Sequence, residues 1–409
     1  MTKLFVTNPQ YRKFLLFQTF DGLGIGTFGV FMMWAIHDQF QNAFYTGMAG
    51  VMFAIPAISN FIIGPFVDAR DKVTIIRLSC LGQLAAIVFL LVVSAFFEPG
   101  VWYVLIGILV FSTASLLAGP AGTALLPRIV KEDELVTANG LLTILGIISG
   151  IAVGTFLFAS IDRVGFEVVY VVIATLLVLA LISSTALKSM EAKPQRRMSL
   201  KCYFNELKEG LYFAKRGVLM LLLLAFVVQD LVATAAYVNV PMLADTFAAT
   251  ASGYVLIVFA ASMGGMFGSY IAKIIEPKLE LWMIFVGCFI LAGLVRVAFA
   301  YVITVSFLGS LFILLIYAGL GVTIGIFCQS LLQKKPPQRM VARVNTIFIS
   351  MLGITSVLGA FIGGILGTLL QQIETVFMLQ GGVYIAIGLF LCLFKQVRAL
   401  PKICDIEES

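Results

Sequence analysis

Long apolar runs follow one another along nearly the whole chain, each bounded by charged residues, and they constrain this sequence more than any other feature. A helix needs about 20 apolar residues to cross the hydrocarbon core of a bilayer. Within that core only helices and closed barrels satisfy every backbone polar group. Twelve runs qualify: Phe14–Ile36, Thr46–Val67, Val73–Phe97, Val101–Leu126, Thr137–Ile161, Glu167–Leu187, Gly217–Leu243, Ala251–Ile275, Leu281–Ala300, Thr304–Leu332, Val341–Leu370 and Thr375–Phe394. They predict an all-α polytopic membrane protein with twelve transmembrane spans.

Composition removes the alternatives. Charged residues make up 12% of the 409, against about 25% in a typical soluble domain, and mean hydropathy is +1.06. A soluble enzyme of this size could not hide so much apolar surface. The six cysteines show no CxxC or metal-ligand spacing, and there is one histidine, His37. No metal or cofactor is expected. No nucleophile–base set appears, and no Gly-x-x-x-x-Gly-Lys loop, so neither enzymatic chemistry nor direct use of ATP is expected. The first run is too long for the apolar core of a signal peptide and is taken as a span.

Lys and Arg set orientation. With both termini and the loops after even-numbered spans on one side, only Arg163 and Arg296 of the 27 basic residues fall elsewhere. That side is expected to be the cytoplasm, in a cell membrane. The longest polar stretch, 188–216, divides the chain into residues 1–187, a linker, residues 217–395 and a tail, 396–409. Within the linker Tyr203, Leu207, Leu211 and Ala214 recur at helical spacing beside Glu206, Lys208 and Glu209, a pattern for an amphipathic helix on the membrane surface. A constant shift of 206 pairs Gly47 with Gly253, Gly119 with Gly325, Leu126 with Leu332 and Asn139 with Asn345. Two six-helix bundles repeated in parallel suit an alternating-access transporter.

Between the second and third spans the chain reads GPFVDARDK, Gly64 to Lys72. This loop resembles the signature of the major facilitator superfamily, Gly-x-x-x-Asp-Arg-x-Gly-Arg-Lys. Gly64 and Asp68 match and Lys72 keeps a charge, whereas Ala69, Asp71 and Val73 depart from it. Asp71, Leu126–Gly140 (LPRIVKEDELVTANG) and Glu206–Phe213 (ELKEGLYF) resemble the macrolide-efflux-like branch of drug:proton antiporters. The resemblance implies two pseudo-symmetric bundles, a rocker-switch cycle, and a cavity lined by spans 1, 4, 7 and 10. It also implies a gate formed by Gly64, Asp68, Arg70, Asp71, Lys72 and Arg128. Asp68 falls at a helix C-terminus, where the macrodipole disfavours an anion. It therefore needs a basic neighbour or the N-terminus of span 11, a contact that would latch the halves together. A solvated turn is the alternative. Gly146, Gly150 and Gly154 form a small-xxx-small stripe for close helix packing in span 5. Ile151 stands where the antiporter motif would have proline.

Ionisable residues inside a membrane are costly and are functional candidates. Asp21 and Asp230 lie in spans 1 and 7, the first spans of the two repeats, and are candidates for proton or cation coupling. For Asp21 a capped acid paired with Arg12 or Lys13 is the plainer reading. Gln18, Thr113, Gln229, Thr234, Tyr237 and Tyr317 are candidate cavity contacts, as are Ser112, Ser115, Asn239 and Thr323, although each serves equally as a helix–helix hydrogen bond. Arg296 is expected to snorkel from span 9 to the headgroups, and His37 to sit at the outer interface.

The resulting expectation is a monomeric secondary transporter that exports bulky lipophilic or cationic compounds in exchange for protons. Its partners are a small amphipathic substrate, protons and the bilayer, with no nucleic acid. A lysolipid or siderophore transporter is the alternative, though it would want a cavity cation. A non-transporting membrane sensor is the third reading.

Overall fold

The computed structural model describes residues 7–59, 70–97, 100–131, 165–188, 217–245, 251–370 and 372–405, with positions 134–135, 138, 141–142, 145–146, 149 and 153. Among these there is no strand. The helices are α1 (Pro9–Phe40), α2 (Ala43–Ile58), α3 (Lys72–Phe96), α4 (Val101–Ser115), α5 (Ala118–Ile129), α6 (Phe166–Thr185), α7 (Val218–Tyr237), α8 (Val240–Asp245), α9 (Ala251–Ile275), α10 (Leu281–Val302), α11 (Phe307–Lys334), α12 (Gln338–Leu369), α13 (Glu374–Leu393) and α14 (Lys395–Arg398). Ten helical segments among the described residues are long and apolar enough to cross a membrane, counting α4 and α5 as one, Val101–Ile129. Of the other two expected spans, the second corresponds to the shorter apolar helix α2. Residues 60–69 and most of the fifth span lie outside the described residues, as does the linker helix expected at 200–214.

Helix starts follow local chemistry. Asn8 caps α1, its side-chain oxygen accepting from Tyr11 N at 3.0 Å, with Pro9 in the first turn. Ser306 caps α11 by accepting from Gly309 N at 3.1 Å, which places the turn between the ninth and tenth spans at 303–306. Both caps satisfy amides that a helix start leaves open.

Two expected spans are each two helices. The run Val101–Leu126 turns at Leu116 and Leu117, between α4 and α5. The run Gly217–Leu243 turns at Val238 and Asn239, between α7 and α8. In each case a proline follows closely, Pro120 and Pro241. Proline cannot donate to the carbonyl four residues back, and its ring crowds that carbonyl. Those carbonyls belong to Leu116 and Tyr237, where the helices break.

The chain forms two compact units, Met1–Gln41 with Met52–Met198, and Asn42–Val51 with Ser199–Ser409. In the first, α6 packs on α1 and α3, and α4 on α3. Phe28 stacks on Phe111 at 3.7 Å between centroids, and Phe31 meets Tyr170 edge-on at 5.4 Å. In the second, the principal pairs are α10 with α13, α9 with α11 and α7 with α12. Small residues allow them to approach. A Cβ at Gly264 or Gly268 of α9 would run into the backbone of Leu315 or Gly319 in α11. Gly293 and Gly381 meet in the same way between α10 and α13. Without a hydrophobic drive between helices in lipid, such close packing is what holds them. Apolar side chains also face outward, among them Phe96, Trp102, Leu308 and Leu393, as lipid contact requires.

Candidate functional site

Asp21 is a buried acid of the first unit, 4% exposed. Its partner is neither Arg12 nor Lys13: Lys13 Nζ donates to Ala186 O at 3.0 Å. Gln83 of α3, itself fully buried, donates through Nε2 to Asp21 Oδ1 at 3.1 Å and to Ser79 Oγ at 3.1 Å. Ser79 then donates to Ala114 O at 2.8 Å. This network joins α1, α3 and α4. Gln83 Oε1 has no hydrogen-bond partner among the described residues. Gln18 lies one turn earlier, close to Gly122 of α5.

Asp230 belongs to the second unit. Thr355 Oγ1 and Ser356 Oγ, both on α12, donate to Asp230 Oδ2 at 2.8 Å each. Thr355 Oγ1 also has the carbonyls of Met351 and Leu352 in reach, at 3.2 and 3.0 Å. The neighbouring Gln229 Oε1 is buried without a partner.

The second unit also has a partly open cavity of about 690 Å³. Its polar lining comes from Thr234 and Tyr237 on α7, Ser262 on α9, Arg296 on α10, Tyr317 on α11 and Gln380 on α13, and the rest is Ala, Val, Ile, Leu and Gly. Asp230, Ala233, Thr234 and Tyr237 are spaced i, i+3, i+4 and i+7, one face of a helix. Asp230 thus shares a helical face with these lining residues one turn before them, while its carboxylate turns to α12 and is not itself part of the lining. This volume and apolar lining suit a drug-sized ligand.

Arg296 departs from expectation. It does not snorkel: it is 3% exposed, and its Cζ lies 4.4, 4.5 and 4.8 Å from the ring centroids of Phe377, Tyr317 and Phe299. Arg296 Nε donates to Gln380 Oε1 at 2.6 Å, Gln380 Nε2 to Tyr317 Oη at 2.8 Å, and Tyr317 Oη to Tyr384 Oη at 3.1 Å. Three aromatic faces and a fixed amide hold the guanidinium inside the bundle, so its side chain has no path to the headgroups. His37, in the last turn of α1, is also buried, 3% exposed and 5.7 Å from the Trp34 ring. One signal for Arg296 lay in the sequence, since it is the sole charge between Leu281 and Gln333. Gln83, Thr355, Ser356 and Gln380 gave none, being ordinary polar residues within apolar runs.

The other expected residues scatter. Thr113 is exposed and bonds its own helix through Leu109 O at 2.7 Å. Ser112 donates to Met52 O, Asn239 to Gly363 O and Thr323 to Gly268 O, all between helices. Of the expected gate, Gly64 and Asp68 lie outside the described residues. Asp71 caps α3, its Oδ2 accepting from Thr74 N at 2.8 Å and Thr74 Oγ1 at 2.9 Å. Lys72 is buried, with Nζ 3.4 Å from Arg70 O, and Arg70 is exposed. Arg128 is exposed in the last turn of α5. Among the described residues, a Cβ at Gly146 would meet nothing within 4 Å. Gly150 and Gly154 lie outside the described residues.

Membrane-length apolar helices with a sparsely polar cavity among them define a multi-pass helical membrane protein. Residues 14–351 match the family model of the Major Facilitator Superfamily. The chain belongs to that superfamily. Solved structures share the fold: a mutant of the nucleoside transporter NupG, 14% identical with TM-score 0.77, covers 94% of this chain and 100% of its own. A mutant peptide transporter POT in complex with alafosfalin is 11% identical with TM-score 0.73, covering 100% and 99%. A bacterial homologue of the human lysosomal transporter Spinster, inward-facing and unoccupied, is 13% identical with TM-score 0.66, covering 98% of each chain. No curated protein sequence matches the chain.

Proposed function

We propose that this protein is a proton-coupled secondary transporter that exports bulky amphipathic compounds by rocker-switch alternating access, working as a monomer in a cell membrane with both termini in the cytoplasm. One observation carries the reading: Asp230, one turn before the cavity-lining Ala233 and Thr234 of α7, holds two hydroxyls on one carboxylate oxygen. A hydroxyl can donate to a carboxylate and, after rotation, accept from a carboxylic acid. When Asp230 is protonated, Thr355 can turn its hydrogen to Met351 O or Leu352 O. The acid is thereby hydrogen-bonded with and without its proton, as a proton carrier must be. Asp21 with Gln83 is the corresponding pair of the first unit. The fold neighbours named as nucleoside and peptide transporters support transport, and the macrolide-efflux-like stretches support export. In this reading Gly64, Asp68, Arg70, Lys72 and Arg128 form the cytoplasmic gate.

The test is uptake into inside-out proteoliposomes with and without a pH gradient, using matched cationic, neutral and acidic amphiphiles. A gradient-driven flux lost in Asp230→Asn and Asp21→Asn is expected. Gradient-driven flux intact in both variants would refute the coupling role. Flux of no probe under any gradient would favour a sensor. The second reading, an amphipathic metabolite bearing an acidic group such as a lysolipid or siderophore, is favoured by Arg296, the cavity cation such a substrate would want.

A further inference from the structure

We infer that Arg296 is an anion-binding subsite of the cavity, built to take the single carboxylate, sulfonate or phosphate group of an otherwise apolar ligand. The inference deepens the transport reading and rests on it only in taking the cavity as the substrate's.

The guanidinium is a fixed charge (Arg does not deprotonate in proteins) held out of water at 3% exposure. No carboxylate among the described residues pairs with it: its one hydrogen bond goes to the neutral Gln380 amide. Its Nη1 is buried with no partner among the described residues. A buried charge without a counter-charge is strongly unfavourable, and aromatic faces offset part of that cost, not all. The chain thus leaves one donor of a cavity-lining cation unfilled among the described residues, just beneath the cavity surface, so that an acid reaches it when a neighbouring side chain gives way. The neighbours fix that vacancy in place. The run Arg296–Gln380–Tyr317–Tyr384 uses Nε and locks the amide and both phenols in one direction of donation. Phe299, Tyr317 and Phe377 hold the guanidinium by its carbon. An acidic group entering from the cavity would gain a charge-assisted hydrogen bond in a low dielectric. A neutral or cationic head would gain none, and a cation would be repelled.

The experiment is equilibrium binding of pyrenebutyrate, its neutral amide and pyrenebutylamine to the full-length protein in phosphatidylcholine nanodiscs, read by pyrene fluorescence anisotropy. The acid is expected to bind about tenfold more tightly than the amide, the size of one hydrogen bond to a charge, and the amine more weakly than either. Arg296→Gln should abolish the preference and Arg296→Lys keep part of it. Gln380→Glu supplies the missing counter-charge internally, so it should abolish the preference while raising the melting temperature. This variant decides the matter if Arg296→Gln fails to fold. Equal affinity of acid and amide for the wild type overturns the inference, as does a preference that survives in Arg296→Gln or Gln380→Glu. Repeating the titration in phosphatidylglycerol nanodiscs separates two sources of the anion. A preference competed away assigns the site to a lipid headgroup, and one retained assigns it to a dissolved acid. Because binding needs no gradient, loss of proton coupling would sink the transport reading and leave this site standing. Proton-driven flux without acid preference would do the reverse.

Discussion

A carboxyl group that shuttles a proton has to be hydrogen-bonded in both of its forms, and the two intramembrane acids meet this demand by different means. At Asp230 the hydroxyls of Thr355 and Ser356 rotate. At Asp21 the Gln83 amide donates to the carboxylate, and its partnerless oxygen is there to accept from the acid after the amide flips. Replacing Thr355 by Val together with Ser356 by Ala is expected to move the pH midpoint of transport by about one unit while changing maximal flux little. An unmoved pH profile would show that the hydroxyls only pack. Asp21→Asn should leave thermal stability within about 1 kcal/mol, because an asparagine can still exchange hydrogen bonds with Gln83, yet it should remove the pH dependence. Both acids were visible in the sequence because a charge inside an apolar run stands out against its surroundings. Their partners were not, since Gln, Thr and Ser fit an apolar helix when bonded to its own carbonyls. Arg296 was visible as a charge, but its setting was misjudged: Phe299, Phe377 and Tyr317 converge on it only once α10, α11 and α13 are packed.

Apolar runs made the helices legible, whereas their starts became visible only in the structure. Asn8 with Pro9, Asp71 and Ser306 start helices as capping chemistry dictates. The breaks after Ser115 and Tyr237 were missed because hydropathy is blind to a proline inside an apolar run. Close packing is expected from the stripe Gly146, Gly150 and Gly154, of which only Gly146 is described, with open space at its Cβ position; the described close approaches are at Gly264 and Gly268. Spacing alone cannot say which glycine faces a neighbouring backbone. Gly268→Ala should therefore cost about 1–3 kcal/mol, measured as a lower melting temperature in detergent, while Gly146→Ala costs nothing measurable. Asp71 offers a sharper division. As a cap it tolerates serine, so Asp71→Ser should keep both stability and flux, whereas Asp68→Asn should impair flux alone. Flux lost in Asp71→Ser would show that its charge serves the gate.

At the scale of the molecule, a sequence of apolar runs was enough to anticipate an all-helical membrane protein, and the superfamily match bears that out. Function is less legible at this scale. Structures sharing this fold carry names as different as nucleoside and peptide transporter at 11–14% identity, because what a transporter accepts depends on a few side chains in a common frame. The cavity of the second unit is such a place, and its one fixed charge has an electrical consequence. If a proton enters while an anion leaves, each cycle moves two charges inward, and a 100 mV inside-negative potential contributes about 4.6 kcal/mol. If a cation leaves instead, the exchange is electrically silent. Arg296 therefore turns a question of substrate chemistry into one of current: with acidic cargo driven by an imposed potential of about 100 mV, collapsing that potential with valinomycin should slow transport even when the pH gradient is left intact.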